Sequence, residues 1–211
     1  MKHFQTIQFN LKQYEQELQL FQTLLANQIE LYERKDIVPF FKNHLQVANQ
    51  IATLYIKNQL IDQYAFEFDV FGDFKCDLVL GNQQAQQFVF IEFEDASSNS
   101  IFKEVKGKYQ SEYSSRFEHG YSQIIDWFYT LNDYQRTHTF QQKFNGSDQI
   151  TYHGLLIIGR EQFLESTQKK RLKWRIKHTF VNSKIIDCLT YDELYFALNN
   201  RFQFLKDLAI S

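Results

Sequence analysis

The chain has 211 residues and a formal net charge of −2, and 44% of its residues are hydrophobic. This apolar content argues against intrinsic disorder, and the near-neutral charge gives no global sign of nucleic-acid binding, although a local basic patch is compatible with it. The start of the chain lacks the apolar core of a signal peptide, and no apolar run is long enough to span a membrane. We therefore expect a cytoplasmic protein with no membrane partner.

Cysteine and aromatic content set two further expectations. Cys76 and Cys188 both lie in predicted strands and lack metal-type spacing, which indicates buried free thiols in a reducing compartment. Aromatic residues make up 17% of the chain, and this abundance favours self-association as a homo-oligomer.

Two helices are predicted before the first strand. Apolar residues at helical spacing indicate an amphipathic helix over residues 11–34, which Pro39 interrupts, and a second helix follows. Three consecutive strands come next, at residues 64–71, 74–80 and 87–94, with turns at Gly72-Asp73 and Gly81-Asn82.

Helices and strands alternate in the second half of the chain. The predicted elements are a helix over residues 112–134, a strand over 152–159, a helix over 161–178, a strand over 184–189 and a final helix. Thr190 and Glu193 match a capping box at the start of the last helix. The order ααβββαβαβα predicts an α/β (α+β) fold, in which a central mixed β-sheet is flanked by helices.

The acidic residues of the three strands point most directly to chemistry. In the third strand, apolar residues share one face, while Glu92 and Glu94 project together from the other face. Asp77 lies between apolar residues on the preceding strand, where a carboxylate is costly unless its charge is compensated. A divalent cation, Mg²⁺ or Mn²⁺, would stabilise three such carboxylates and polarise a phosphate. A solvated strand end with scattered acids is the alternative interpretation.

In order and spacing, these motifs resemble the Shedu anti-phage family, specifically its C-terminal nuclease domain, within the PD-(D/E)xK nuclease superfamily. The matching segments are EFDVFGDFKCDLV (residues 67–79), FIEFEDA (90–96), FEHGYSQIIDW (117–127) and LIIGR (156–160). The resemblance implies one domain over residues 1–211, with N-terminal helices in 1–60, a restriction-endonuclease-like core in 61–195 and a C-terminal helix in 190–211. It also implies a Mg²⁺-dependent DNA endonuclease or nickase that acts on double-stranded DNA in bacterial defence.

The resemblance also assigns roles to individual residues. Asp77 and Glu92 would bind the metal, and Glu94 would bind metal or activate water, although it stands where the superfamily usually has lysine. Gln123, on the helix after the acidic strand, would support the site. His119 lies one helical turn earlier and is a weaker candidate.

Further acids and cations are secondary candidates. Glu33, placed by the prediction at the end of the first helix, and Glu67 would each add a carboxylate to the metal site. Nuclease sites of this superfamily also use a cation to orient water or to stabilise developing charge. The candidates for that missing cation are Lys103, Lys106 and Lys108, with Arg116 ranked after them.

A basic helix is the second electrostatic feature. Residues 169–178 carry six formal positive charges, and Leu172 and Ile176 fit a buried stripe. The outward-facing basic residues are expected to be Lys169, Lys170, Lys173 and Lys177. Such a helix would contact DNA phosphates with an affinity that falls as salt rises, whereas an ordinary solvated helical face is the alternative.

Two other functions stay open from the sequence. Because Glu94 replaces a lysine, the chain fits a catalytically degenerate nuclease fold that binds nucleic acid or a partner protein without cleavage. An acidic assembly module without DNA affinity is the third possibility.

Overall fold

The structure, a computed structural model, describes residues 3–72 and 74–210. The strands are β1 (Gln5–Thr6), β2 (Gln63–Val70), β3 (Phe74–Asn82), β4 (Gln87–Phe93), β5 (Phe102–Lys103), β6 (Glu112–Tyr113), β7 (Thr151–Ile157), β8 (Phe180–Val181) and β9 (Lys184–Leu189). The α-helices are α1 (Leu11–Asn27), α2 (Val38–Asn43), α3 (Leu45–Ala52), α4 (Ser115–Tyr134), α5 (His138–Lys143), α6 (Ser166–His178) and α7 (Tyr191–Ile210).

Seven strands form one mixed sheet in the order β1-β2-β3-β4-β7-β9-β8. The strands β2, β3 and β4 pair in antiparallel fashion, whereas β7 joins β4 and β9 joins β7 in parallel. Helices lie between the parallel strands in the chain, as parallel crossovers require. The predicted α/β (α+β) fold with a central mixed sheet flanked by helices is therefore confirmed.

Each face of the sheet carries its own apolar core. One core combines the apolar stripes of α1, α3 and α7 with the β4 residues Val89, Ile91 and Phe93. The other combines α4 and α5 with Phe88 and Phe90 of the same strand. The predicted alternation of β4 is thus correct, and it leaves Glu92 on the face of the second core.

Alternation reverses in the middle of β2, at Glu67. Tyr64 and Phe66 pack against the first core, yet Phe68 and Val70 belong to the second, although even-numbered residues of a regular strand share one face. Glu67 adopts φ 50°, a left-handed conformation that costs a residue with a side chain about 1–2 kcal/mol. This local twist explains the change of face.

The neighbouring strand reverses at the same level. Leu78 and Leu80 lie in the first core, while Cys76 lies in the second. Asp77 occupies the reversal point, opposite Glu67, because Phe66 pairs with Leu78 and Phe68 pairs with Cys76. The sheet therefore bends at the two residues where acidic side chains enter it.

The N-terminal helices differ from the prediction. The first helix ends at Asn27 rather than at residue 34, and Glu33–Ile37 forms a separate π-helical turn. Glu33 therefore opens that turn and does not end the first helix. Pro39 lies in the first turn of α2, where its fixed φ and missing N–H are tolerated, so it begins a helix instead of interrupting one.

The predicted second helix is split into α2 and α3 by a buried cap. Glu17 of α1 is 5% exposed, and its Oε2 accepts hydrogen bonds from the backbone N–H groups of Gln46 (2.7 Å) and Val47 (2.9 Å). These donors belong to the first turn of α3, whose N–H groups have no partner within the helix. A carboxylate from α1 thus caps the N-terminus of α3, which begins immediately after His44.

Several other boundaries also differ from the prediction. The predicted helix from residue 112 begins at Ser115, since the Ser114 hydroxyl accepts a hydrogen bond from Phe117 N and residues 112–113 form β6. Strand β3 continues through Gly81-Asn82, and the turn follows at residues 83–86. The helix from residue 161 is a 3₁₀ turn followed by α6 from Ser166. Asp73, half of the predicted Gly72-Asp73 turn, lies outside the described residues.

Three smaller predictions are correct. Glu193 N donates to Thr190 Oγ1 (3.1 Å) and Thr190 N donates to Glu193 Oε2 (3.0 Å), which is the predicted capping box. Cys76 and Cys188 are buried free thiols. In the part of the chain that the structure describes, no helix combines the length and the apolar character needed to cross a membrane.

Candidate active site

Three adjacent strands place acidic residues at one level of the sheet. The pairs Phe66–Leu78 and Leu78–Ile91 set the register, so that Glu67, Asp77 and Glu92 follow one another across β2, β3 and β4. The regular pairing of β3 with β4 begins only at Leu78. One residue before Leu78, the Asp77 carboxylate accepts a hydrogen bond from Phe93 N at 2.9 Å. A side chain thus takes the place of a backbone acceptor where the strands diverge.

Burial and mutual repulsion make these carboxylates poor acids. Burial raises the pKa of Glu92 to about 10, and the nearby charges of Asp77, Glu94 and Glu33 contribute to this rise, whereas the hydrogen bond from Gln123 opposes it. Burial also raises the pKa of Asp77 to about 7, against the effect of the Phe93 hydrogen bond. The cluster therefore carries more acidic groups than its own surroundings neutralise.

Gln123 reaches Glu92 from α4, the helix that covers this end of the sheet. Its Nε2 donates a hydrogen bond to Glu92 Oε1. Glu92 is 7% exposed, and its Oε2 is buried without a hydrogen-bond partner among the described residues. Since buried oxygens are rarely left unpaired in native proteins, this atom is a candidate to contact a bound ligand.

Glu94 follows the end of β4 and lies in an ion-pair network. Arg116 Nη1 is 2.7 Å from Glu94 Oε2, and Arg116 Nη2 is 3.0 Å from Asp95 Oδ2. Asp95 Oδ1 also accepts a hydrogen bond from the backbone N–H of Glu33 at 2.7 Å, which ties the π-helical turn to the strand end. Despite Arg116, burial leaves the pKa of Glu94 raised. Burial likewise raises the pKa of Glu33.

The donor set fits a hard divalent cation bound by few protein ligands. Within residues 3–72 and 74–210, no group of three or more His, Cys, Asp or Glu side chains is arranged to hold a metal ion. Mg²⁺ usually takes one or two carboxylates and completes its shell with water and phosphate oxygens. The unpartnered Oε2 of Glu92 beside Asp77 meets that requirement, whereas Glu94 is already paired with Arg116.

Two open clefts flank the acids. The Arg116 cleft, of about 870 Å³, is lined by residues that include Glu94, Asp95, Lys103, Arg116 and His119. The Lys42 cleft, of about 600 Å³, is lined by residues that include Glu33, Lys42, Glu67, Lys75 and Asp77. Each cleft brings a cationic side chain to a predicted site acid.

The structure places some of the cations predicted from sequence in the clefts beside the acids, and others outside them. Lys103 and Arg116 line the Arg116 cleft, as does the weaker candidate His119. Lys106 and Lys108 are not among the described residues that line either cleft, and exposed Lys108 is ion-paired with Glu112. The structure therefore does not place Lys106 and Lys108 with the acids.

The basic helix α6 packs against β9, and its Arg175 pairs with Glu118 of α4. Leu172 is buried and Ile176 is partly buried, as predicted. Lys169 pairs with Glu161 (3.2 Å) and Lys173 approaches Glu193 (3.9 Å), while Lys170 and Lys177 are not buried. These contacts neutralise part of the charge that the sequence suggested for this face.

Gly120 was missed by the sequence analysis, although glycine inside a helical pattern is a recognised signal of close packing. A Cβ atom at this position would lie 2.8 Å from Leu156 Cδ1 and 3.2 Å from Glu94 Cγ. The absence of a side chain therefore lets α4 lie directly against Glu94. Lys42 was also missed, because nothing in its local sequence predicts proximity to the strands.

Gly120→Ala is expected to destabilise the protein even though alanine is the better helix former. Alanine gains about 1 kcal/mol of helix propensity, but overpacking against Leu156 and Glu94 costs about 1–3 kcal/mol. Urea unfolding would measure the difference, with Ser122→Ala on the exposed face of α4 as the matched control. A Gly120→Ala protein more stable than the parent would contradict the tight packing.

Comparison with known protein families yields a match over most of the chain. The family model described as "Shedu protein SduA, C-terminal" matches residues 19–195, which is more than half of the chain. No curated protein matches. The matched region contains the bent strands β2 and β3, the acidic end of β4 and the covering helix α4.

Proposed function

The chain belongs to the Shedu family, through its SduA C-terminal domain, and on this premise we propose that it is a metal-dependent endonuclease or nickase of double-stranded DNA. The family is associated with anti-phage defence. The observation that carries the proposal is the buried, unpartnered Oε2 of Glu92 among carboxylates that raise one another's pKa. Phosphodiester hydrolysis is the reaction that is best supported by an acidic site whose charge a bound cation would compensate.

Each residue has a distinct part in this proposal. Asp77 and Glu92 would hold Mg²⁺ or Mn²⁺, and Gln123 fixes the Glu92 carboxylate by its hydrogen bond. Bound metal supplies Lewis-acid polarisation of the phosphate and a water of lowered pKa. Glu94 would bind the ion or accept a proton from water, since burial keeps its pKa above the ordinary value. Arg116 orients Glu94 through the 2.7 Å contact.

DNA would also contact the basic helix α6. Lys170 and Lys177 are open to solvent, as are the side chains in the ion pairs of Lys169 and Lys173. Exposed pairs of this kind contribute only about 0–1 kcal/mol, so DNA phosphates can replace the carboxylates. We therefore propose double-stranded DNA as the partner, with an affinity that falls as the salt concentration rises.

Binding without cleavage is the second candidate function. It is favoured by the Arg116–Glu94 ion pair, because Glu94 replaces the usual lysine and is itself neutralised by an arginine. In that case Arg116 would hold the strand end in place, and the fold would retain only its DNA or partner surface.

Supercoiled plasmid provides the direct test. With Mg²⁺ or Mn²⁺ the protein should convert the plasmid to nicked or linear DNA, and EDTA should stop the conversion. Asp77→Asn should lower the rate about 100-fold or more, because it weakens a metal ligand. Asp133→Asn, which changes an exposed acid on α4, is the matched control. If the protein retards the migration of DNA but cuts it with neither Mg²⁺ nor Mn²⁺, the nuclease function is rejected and binding without cleavage is favoured.

A further inference from the structure

Lys42 forms an ion pair at the wall of the cleft that contains Asp77. Its Nζ lies 2.6 Å from Glu67 Oε1, and the two side chains are 38% and 46% exposed. The same Nζ lies 5.8 Å from the centre of the Phe66 ring. Lysine and glutamate are thus held together at a defined place, and both remain accessible to a molecule that enters the cleft.

The backbone of Glu67 is strained at the point where its side chain meets Lys42. With φ 50°, Glu67 adopts a conformation that favours glycine, in the interior of β2 and opposite Asp77. Strained residues persist where the surrounding structure enforces them, and they cluster at functional sites. Here the strain coincides with the face reversal that places Glu67 beside Lys42 and Asp77 in the same cleft.

Other cations near the acids are less suited to meet a phosphate. Arg116 uses one Nη atom on Glu94 and the other on Asp95. Arg34 is 95% exposed, and its Nε is 3.9 Å from Glu33. Lys75 lines the same cleft and is exposed like Lys42, but in the described part of the chain no carboxylate is ion-paired with it.

We propose that Lys42, positioned by Glu67, is the catalytic cation of this site and donates hydrogen bonds to the phosphate that is cut. The inference rests on the proposed nuclease function and extends it, because a phosphate beside these acids needs a cation and the Arg116 guanidinium is already paired with Glu94 and Asp95. Lys42 supplies that positive charge from α2, in the cleft that Asp77 also lines. Glu67 is a positioning residue. When DNA enters the cleft, Lys42 exchanges the Glu67 carboxylate for the phosphate.

The test compares Lys42→Met and Lys42→Arg with Lys12→Met, which removes an exposed lysine of α1 that lines neither cleft. Initial rates of plasmid nicking and the Kd for Mn²⁺ by calorimetry are measured for each, after circular dichroism has verified folding. Lys42→Met should slow nicking about 100-fold, as expected when one charge-stabilising donor is removed. Lys42→Arg should recover most of the rate, and Lys12→Met should match the parent protein.

Metal affinity separates a role towards phosphate from a structural role. Mn²⁺ should bind Lys42→Met at least as tightly as the parent, because a cation near the carboxylates has been removed, whereas Asp77→Asn should bind it weakly. If Lys42→Met loses Mn²⁺ binding or its fold, Lys42 is structural and the inference is overturned.

Failure of the inference and failure of the proposed function give different results. If the parent protein is active and Lys42→Met is as fast as Lys12→Met, the role of Lys42 alone is overturned. That role is also overturned if Lys42→Arg is as slow as Lys42→Met. A parent protein that nicks DNA with neither Mg²⁺ nor Mn²⁺ overturns both the nuclease function and the role of Lys42.

Discussion

Glu92→Gln is expected to abolish DNA nicking and, at alkaline pH without metal, to make the protein more stable than the parent. The rate should fall about 1,000-fold, since the variant loses a charged metal ligand at the reacting centre. Stability should rise because glutamine is neutral at every pH, whereas burial makes ionisation of Glu92 costly and raises its pKa to about 10. Plasmid nicking and thermal unfolding with EDTA at pH 9 would measure the two effects.

An opposite change in activity and stability distinguishes a functional acid from a structural one. The structural acid Glu17 caps α3, so removing its charge should only destabilise the protein. Glu104→Gln, at an exposed position, is the matched control for Glu92→Gln and should change neither property. Undiminished nicking by Glu92→Gln, or a loss of its stability at pH 9, would contradict the assignment of Glu92 to the metal site.

Local periodicity explains which parts of this site were predictable. Two-residue alternation in β4 set Glu92 and Glu94 apart from the apolar face, and the two buried cores confirm that alternation. The family resemblance placed Gln123 beside the site, and the structure brings it to Glu92. The alternation of β4 needed only the regular geometry of one strand, whereas the place of Gln123 depended on the resemblance.

Tertiary contacts account for what the sequence analysis missed. No local signal predicts the left-handed φ of Glu67, because this residue is glutamate and not the glycine that usually adopts such a conformation. Glu17 starts α3 from another helix, so no local pattern revealed the break at His44. For the same reason the Lys42–Glu67 pair was not predicted, and Glu161 and Glu193 reduce the charge of α6 from outside that helix.

Metal-free protein is expected to lose stability as pH rises, and a divalent cation should reverse the loss. Asp77 and Glu92 have folded-state pKa values raised from 3.8 to about 7 and from 4.5 to about 10. A raised carboxyl pKa means that the folded state holds its proton more tightly than the unfolded chain does. The stabilising contribution is therefore complete below the unfolded pKa values, declines as pH rises above them, and is lost through pH 7 for Asp77 and pH 10 for Glu92.

The expected decline in the free energy of unfolding between pH 5 and pH 9 is on the order of several kcal/mol, at about 1.36 kcal/mol for each unit of pKa difference. For a chain of this size, each kcal/mol corresponds to a fall of about 2–4 °C in Tm with EDTA. Mn²⁺ binds the ionised carboxylates, so the rise in Tm that it produces should grow with pH.

Combining Asp77→Asn with Glu92→Gln should remove both effects, because neither position then titrates or carries charge. The Tm of this double variant should vary less with pH than that of the parent, and Mn²⁺ should leave it unchanged. Asp133→Asn should keep the behaviour of the parent, since that acid is exposed on α4. A parent Tm that rises from pH 5 to pH 9 with EDTA would mean that these carboxylates are compensated by the protein itself. The site would then have no need of a cation, and the binding function without cleavage would be the better account of the fold.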